Sequence, residues 1–248
     1  KKWPNYDVPV SGIITIPESV VAIDNGVFAN YKDLKKVNFP SRLKSIGDNA
    51  FKGCTALAIA ALPDSLQSIG KQAFYDCTQL KTLTVGTQLT FVGNSAFENC
   101  STLQQVELPA AATTFGSRVF AGCKSLKKVV LPDHLTTLPK STFFNCYELT
   151  EVTLPSLLQH IEGAVFWQCR SLKQITLPSQ LQSIGSGVFA GCSSLTSLTF
   201  PASVRLIGES LFNGCDHLEH LTCLSPNPPS FSEDTTDPLK YYRQLTVP

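Results

Sequence analysis

Methionine is missing altogether from these 248 residues, and tryptophan occurs only twice. Charge is sparse as well: Asp, Glu, Lys and Arg make up 16% of the chain and leave a formal net charge of +1. That near-neutral balance provides no field with which to hold nucleic acid or a strongly acidic partner. No apolar run approaches the roughly 20 residues that a membrane-spanning helix needs, and no secretory leader is visible. Because the chain opens on Lys1 and lacks Met, it is expected to be a processed or excised piece, so the missing leader is silent about location. Neither a phosphate-cradling loop nor a Gly-x-Ser-x-Gly elbow occurs. His134 and His160 have no recurring carboxylate or nucleophile partner. His217-Leu-Glu-His220, beside Asp216, puts one imidazole ahead of a strand and the other on it, so the two diverge and no third metal ligand is specified. The lone sequon, Asn99-Cys-Ser101, reads as a turn asparagine. The chain is therefore read as non-enzymatic, with no metal and no cofactor.

What the sequence has in abundance is repetition. Phe28, Phe51, Phe74, Phe97, Phe120, Phe143, Phe166, Phe189 and Phe212 fall every 23 residues. A leucine column (Leu34 to Leu218) and a cysteine column (Cys54 to Cys215, with Tyr31 in the first copy) keep the same period. Such a ruler marks a solenoid, in which no copy can bury its apolar side alone and stacking supplies the core. The tail Leu80-x-x-Leu83-x-Val85 alternates as a short strand, and a proline such as Pro109, Pro132 or Pro155 ends it in other copies. The residue two after each Phe is Asn30, Gly53, Asp76, Asn99, Gly122, Asn145, Gln168, Gly191 or Gly214. All but Gln168 tolerate a left-handed backbone, so this column caps a short helical or 3₁₀ turn around Phe. Segments such as Leu66-Gln-Ser-Ile69 and Leu181-Gln-Ser-Ile184 fit a second short strand. The expected fold is an α/β solenoid of right-handed coils, with one parallel sheet of about 11 strands and helical turns opposite.

Nine cysteines suggest disulfides at first sight. Adjacent members of an inward ladder would hold their Cβ atoms about 4.8 Å apart in parallel, too far for a bridge that wants about 3.5–4.5 Å. They read instead as buried free thiols. Cys223 stands where other copies place Leu or Phe and joins the core.

Residues 1–16 are expected to supply the first strand and a cap, 17–223 the nine repeats, and 224–248 a closing cap, all in one domain. The unit Leu-Pro-x-x-Leu-x-x-Ile-Gly-x-x-Ala-Phe-x-x-Cys-x-x-Leu-x-x-Leu-x-Leu resembles the BspA-like leucine-rich repeat family. So does the tail Pro228-Pro-Ser-Phe231 followed by Leu245-Thr-Val247-Pro248. In that family a Lys-Gly-Ser and a short helix commonly follow, so the cap is expected to be truncated. The resemblance implies a secreted or surface-exposed protein of gut or oral bacteria, or of mucosal parasites, associated with adhesion to host matrix proteins or to other cells. It transfers no functional residue.

Two surfaces are candidates for binding. On the concave side of the strand sheet, Lys36, Thr84, Gln105, Glu107, Lys128, Glu151, Thr153, Gln174, Thr176 and Thr199 should face out. Their plain reading is good strand chemistry on a wetted face; their functional reading is a polar platform for a protein, short of the aromatics a sugar groove wants. Just after the Phe column, Phe144 and Trp167 occupy equivalent places in adjacent coils. Three residues on, so do Tyr147 and Arg170. Clustered aromatics with Arg have the composition of an interaction hot spot, against the plain reading that Trp167 lies over the turn beside Gln168. The expected function is an extracellular adhesion module with a protein partner. The alternatives are a surface glycan-binding component and a structural spacer in a longer chain; no nucleic acid and no membrane insertion are expected.

Overall fold

The computed structural model describes residues 11–225, 229–231 and 245–246, with the backbone alone for Phe231, Leu245 and Thr246. The expected cap over residues 1–10 and the closing residues Pro228, Val247 and Pro248 lie outside the described residues. Nine 23-residue coils follow one another, coil 1 spanning 17–39 and coil 9 spanning 201–223. Together they build parallel sheets on two sides and send Leu, Ile, Val, Phe and Cys into one continuous core.

The strand sheet begins with Ile13–Thr15, which pairs in parallel with Lys36–Asn38. It ends with Leu245–Thr246, paired with residues 221–222. Within three-residue strands the middle side chain points inward and its neighbours outward, as in Thr82–Thr84. The single sheet of about 11 strands expected from the sequence is not what forms. The strands group into blocks of four, three and three, and residues 174–176 of coil 7 adopt no strand. A ladder three residues long rests on very few backbone bonds, so a small shift between coils is enough to interrupt it.

The second series of short strands is present, each two residues long, as at Ser68–Ile69 and Ser183–Ile184. They form two five-stranded parallel sheets, one in coils 1–5 and one starting in coil 6.

The turns around Phe are not helical: no helix occurs among the described residues. The cap column does have a positive φ in every coil, Gln168 at 60° included. A second left-handed column stands two residues before Phe, namely Gly26, Asn49, Gln72, Ser95, Arg118, Ser141, Ala164, Gly187 and Ser210. Two left-handed residues four apart break any run of helical φ, and they turn alternate peptide groups along the rod axis instead. Thus the N–H groups of Asn49, Phe51 and Gly53 donate to the carbonyls of Lys71, Ala73 and Tyr75 in the next coil at 2.7–2.8 Å. This third ladder of backbone bonds replaces the expected helix.

Inside that ladder the phenylalanines stack face to face from Phe28 to Phe212, with centroids 5.1–6.2 Å apart and planes within 11°. The cysteines are all free and buried. Eight of them donate Sγ–H to the carbonyl of the Phe one coil back, as Cys54 to Phe28 at 3.1 Å and Cys215 to Phe189 at 3.0 Å. A small apolar side chain with one weak donor fits that place. Coil 1 has no Phe carbonyl behind it, and there Tyr31 packs edge-on to Phe28 at 5.9 Å instead. Burial pushes these eight thiols up, Cys54 and Cys215 to about 12.

Candidate functional site

The third ladder fixes where the next side chain goes. With Phe pointing in, the residue after it lies on the outside of the turn, and successive coils set these residues one above another. Phe144 and Trp167, adjacent in this column, stack with centroids 6.2 Å apart and planes 25° from parallel. Both are half-buried. The guanidinium of Arg118 covers the far face of this pair, 5.4 Å from the Phe144 centroid. Glu98, itself buried, holds Arg118 with hydrogen bonds to Nε at 3.1 and 3.2 Å and to Nη2 at 2.6 Å. That hydrogen bonding to the Glu98 carboxylate raises the Arg118 pKa over the opposing effect of burial. On the other side, the Trp167 ring lies against Gly187, where a Cβ would come within 2.7 Å of Cζ3.

Three residues further on, a second stack runs beside the first in sequence. Tyr147 lies between Arg170, 4.4 Å from its ring centroid, and Lys124 at 5.9 Å. Arg170 is exposed, and its Nε donates to Gln168 Oε1 at 2.8 Å. The structure therefore brings Phe144 to Trp167 and Tyr147 to Arg170 and adds Arg118, Lys124 and Gly187. Arg118 and Gly187 were missed because their contacts, at offsets of 26 and 20 residues, do not follow the 23-residue ruler, whereas Lys124 meets Tyr147 along it. The outer residue of one coil meets the left-handed column of the next, 20 residues on: Lys52 Nζ donates to Gln72 at 2.9 Å just as Arg118 meets Glu98.

The strand-face residues Lys36, Thr84, Gln105, Glu107, Lys128, Glu151, Thr153, Gln174, Thr176 and Thr199 are all exposed. Only Lys128 and Glu151 join, by an ion pair at 3.3 Å along the register Gln105, Lys128, Glu151; the others form a spaced polar row. The two histidines considered for metal take separate partners, His217 Nδ1 at Ser193 O (2.6 Å) and His220 beside Glu219 (3.9 Å). Asn99 occupies the cap with φ 63°, its amide on Asp76 at 2.8 Å.

With this geometry established, the chain matches the profile of the BspA type leucine rich repeat region over residues 11–127 and 113–231, in 6 copies. The chain belongs to that family. No curated protein matches it significantly. Among solved structures, this BspA-type chain is similar to a leucine-rich repeat protein from Bacteroides ovatus (TM-score 0.77, 26% identity, covering 86% of this chain and 63% of that one). It also resembles the pneumococcal vaccine antigen PcpA (TM-score 0.60, 26% identity, 86% and 62%) and the leucine-rich repeat protein of T. pallidum (TM-score 0.54, 29% identity, 74% and 77%). The chain thus spans less than two thirds of the Bacteroides and pneumococcal proteins. A BspA-type solenoid is a repeat-based interaction scaffold, and no helix among the described residues is long and apolar enough to cross a membrane.

Proposed function

We infer that this repeat domain is a non-enzymatic, extracellular binding module that takes a protein partner on the paired stacks of coils 5–7. The observation that carries the reading is the Phe144–Trp167 stack, left half-exposed at 6.2 Å in an outer column whose remaining aromatic, Tyr75, stands without an aromatic neighbour in that column. Aromatic and Arg side chains concentrate binding energy because they bury much area at small entropic cost. Tyr147, held between Lys124 and Arg170, adds two cations that suit a partner offering carboxylates beside an apolar patch. A host matrix or cell-surface protein presents that chemistry, and the likeness to a vaccine antigen fits an exposed setting. The polar strand row from Lys36 to Thr199 would serve as a broader platform.

The test is a binding screen of the domain against extracellular-matrix and cell-surface proteins, with Phe144→Ala/Trp167→Ala beside the parent. A loss of about tenfold or more in affinity is expected, the value of about 1.4 kcal/mol. Equal affinity for parent and variant would overturn the assignment. Uniform failure to bind any protein would favour a spacer.

A further inference from the structure

The short-strand sheet is broken at one place, between Thr114–Phe115 of coil 5 and Thr137–Leu138 of coil 6. Coils 2–5 carry Gly47, Gly70, Gly93 and Gly116 directly after the short strand, and each donates its N–H to the coil behind at 2.8 Å. Pro139 takes that place in coil 6. It has no N–H to offer the Phe115 carbonyl. Its ring also brings carbon to a place that is tight one coil back, where a Cβ built on Gly116 would lie 2.4 Å from the Asn94 nitrogen. The strands part. In the intact sheet Thr113 and Thr114 donate to Thr90 at 3.1 Å, and Gln159 and His160 to Thr136 at 2.8 and 3.0 Å. No such backbone bond joins Thr136 or Thr137 to Thr113.

The gap is a crevice of about 380 Å³ whose walls include Thr113, Thr114, Phe115, Thr136, Thr137 and Glu162. We propose that it is a carbohydrate-binding site taking a neutral pyranose unit of a glycan. A pyranose presents hydroxyls that both donate and accept, set around an apolar C–H face. The crevice offers the matching set: threonine hydroxyls, the freed N–H groups of Thr136 and Thr137, the freed carbonyls of Thr113 and Phe115, and the half-buried Phe115 ring. The flanks extend it, with exposed Phe91 beside Thr114 in register and His160 beside Thr137. No Lys or Arg lines the walls and Glu162 does, which disfavours an anionic sugar.

Unpaired strand edges also suit an extended peptide, but the geometry opposes one. Inserting a strand would part the edges to twice the usual spacing of about 4.8 Å. Coils 5 and 6 are tied on both sides of the gap. Lys128–Val130 and Glu151–Thr153 pair in full register on one side of it. Beyond it Arg118, Phe120 and Gly122 donate to Lys140, Thr142 and Phe144 at 2.7–3.0 Å. A wedge closed at its base admits a sugar edge and excludes a chain.

The experiment titrates the whole chain with lactose, maltose, cellobiose and mannobiose, with sialyllactose and an extended decapeptide for contrast, by saturation-transfer NMR and calorimetry. At least one neutral disaccharide should bind. Pro139→Gly, which installs the residue of coils 2–5 and closes the sheet, should weaken it by about tenfold or more while melting is kept. Thr114→Val/Thr137→Val should do the same, and Phe144→Ala/Trp167→Ala should not, which separates this site from the protein-binding stacks. The proposal is overturned if no neutral disaccharide binds, if sialyllactose or the peptide binds better, or if Pro139→Gly leaves affinity intact.

Discussion

The phenylalanine turn shows two faces one residue apart. Its inner face repeats, a Phe on a Phe from 28 to 212, with a thiol in coils 2–9 on the carbonyl of the Phe one coil back. Its outer face changes from coil to coil: Ala29, Lys52, Tyr75, Glu98, Ala121, Phe144, Trp167, Ala190, Asn213. Repetition inside makes every interface alike and adds their stabilisation along the rod. Variation outside costs the fold little, so chemistry can be written there without disturbing the coil.

The largest effect should come from disturbing the inner face in all coils at once. Unfolded thiols titrate near 8.5, whereas Cys54 and Cys215 are held protonated in the fold to about 12 by burial. The folded state thus keeps its protons where the unfolded state loses them. Stability is full below about pH 8.5 and falls as pH rises toward 12, each thiol adding a slope on the order of 1.4 kcal/mol per pH unit. Urea unfolding under reducing conditions at pH 8, 9 and 10 should show a steep fall, and a flat profile would contradict the buried ladder. Next comes Phe120→Ala, expected to cost about 3–5 kcal/mol in chemical denaturation, against less than about 1.5 kcal/mol for half-buried Phe144→Ala. Equal costs would erase the contrast between the faces.

Two smaller changes probe the join between the faces. Gly187→Ala puts a methyl where Trp167 rests and a Cβ on a φ of 63°, for a backbone cost of about 1–2 kcal/mol. It should shift Trp167 fluorescence, and an unmoved spectrum would deny the contact. Ala164 bears the same backbone penalty already, at φ 57°, so Ala164→Gly should raise stability by about 0.5–1 kcal/mol in thermal unfolding.

How much of this was legible in the sequence follows the same division. The Phe, Leu and Cys columns and the cap column declare themselves by period, and with them the parallel stacking and the meeting of Phe144 with Trp167. The left-handed column before Phe does not, because Gln72, Arg118 and Ala164 have no preference for that conformation; the ladder to the next coil imposes it. Without that column the turn reads as helix. Arg118 and Gly187 escaped because their contacts run at other offsets than 23. Pro139, the one proline in a column of Gly, Asp24 and Glu162, acquires its meaning only when the short strand before it is placed and its missing N–H is seen to open the sheet.

The most direct measurement is to follow thermal melting and partner binding together for Phe144→Ala/Trp167→Ala. The account predicts a melt close to that of the parent with affinity for its protein partner reduced about tenfold or more. Binding unchanged, or lost only in step with the fold, would contradict it.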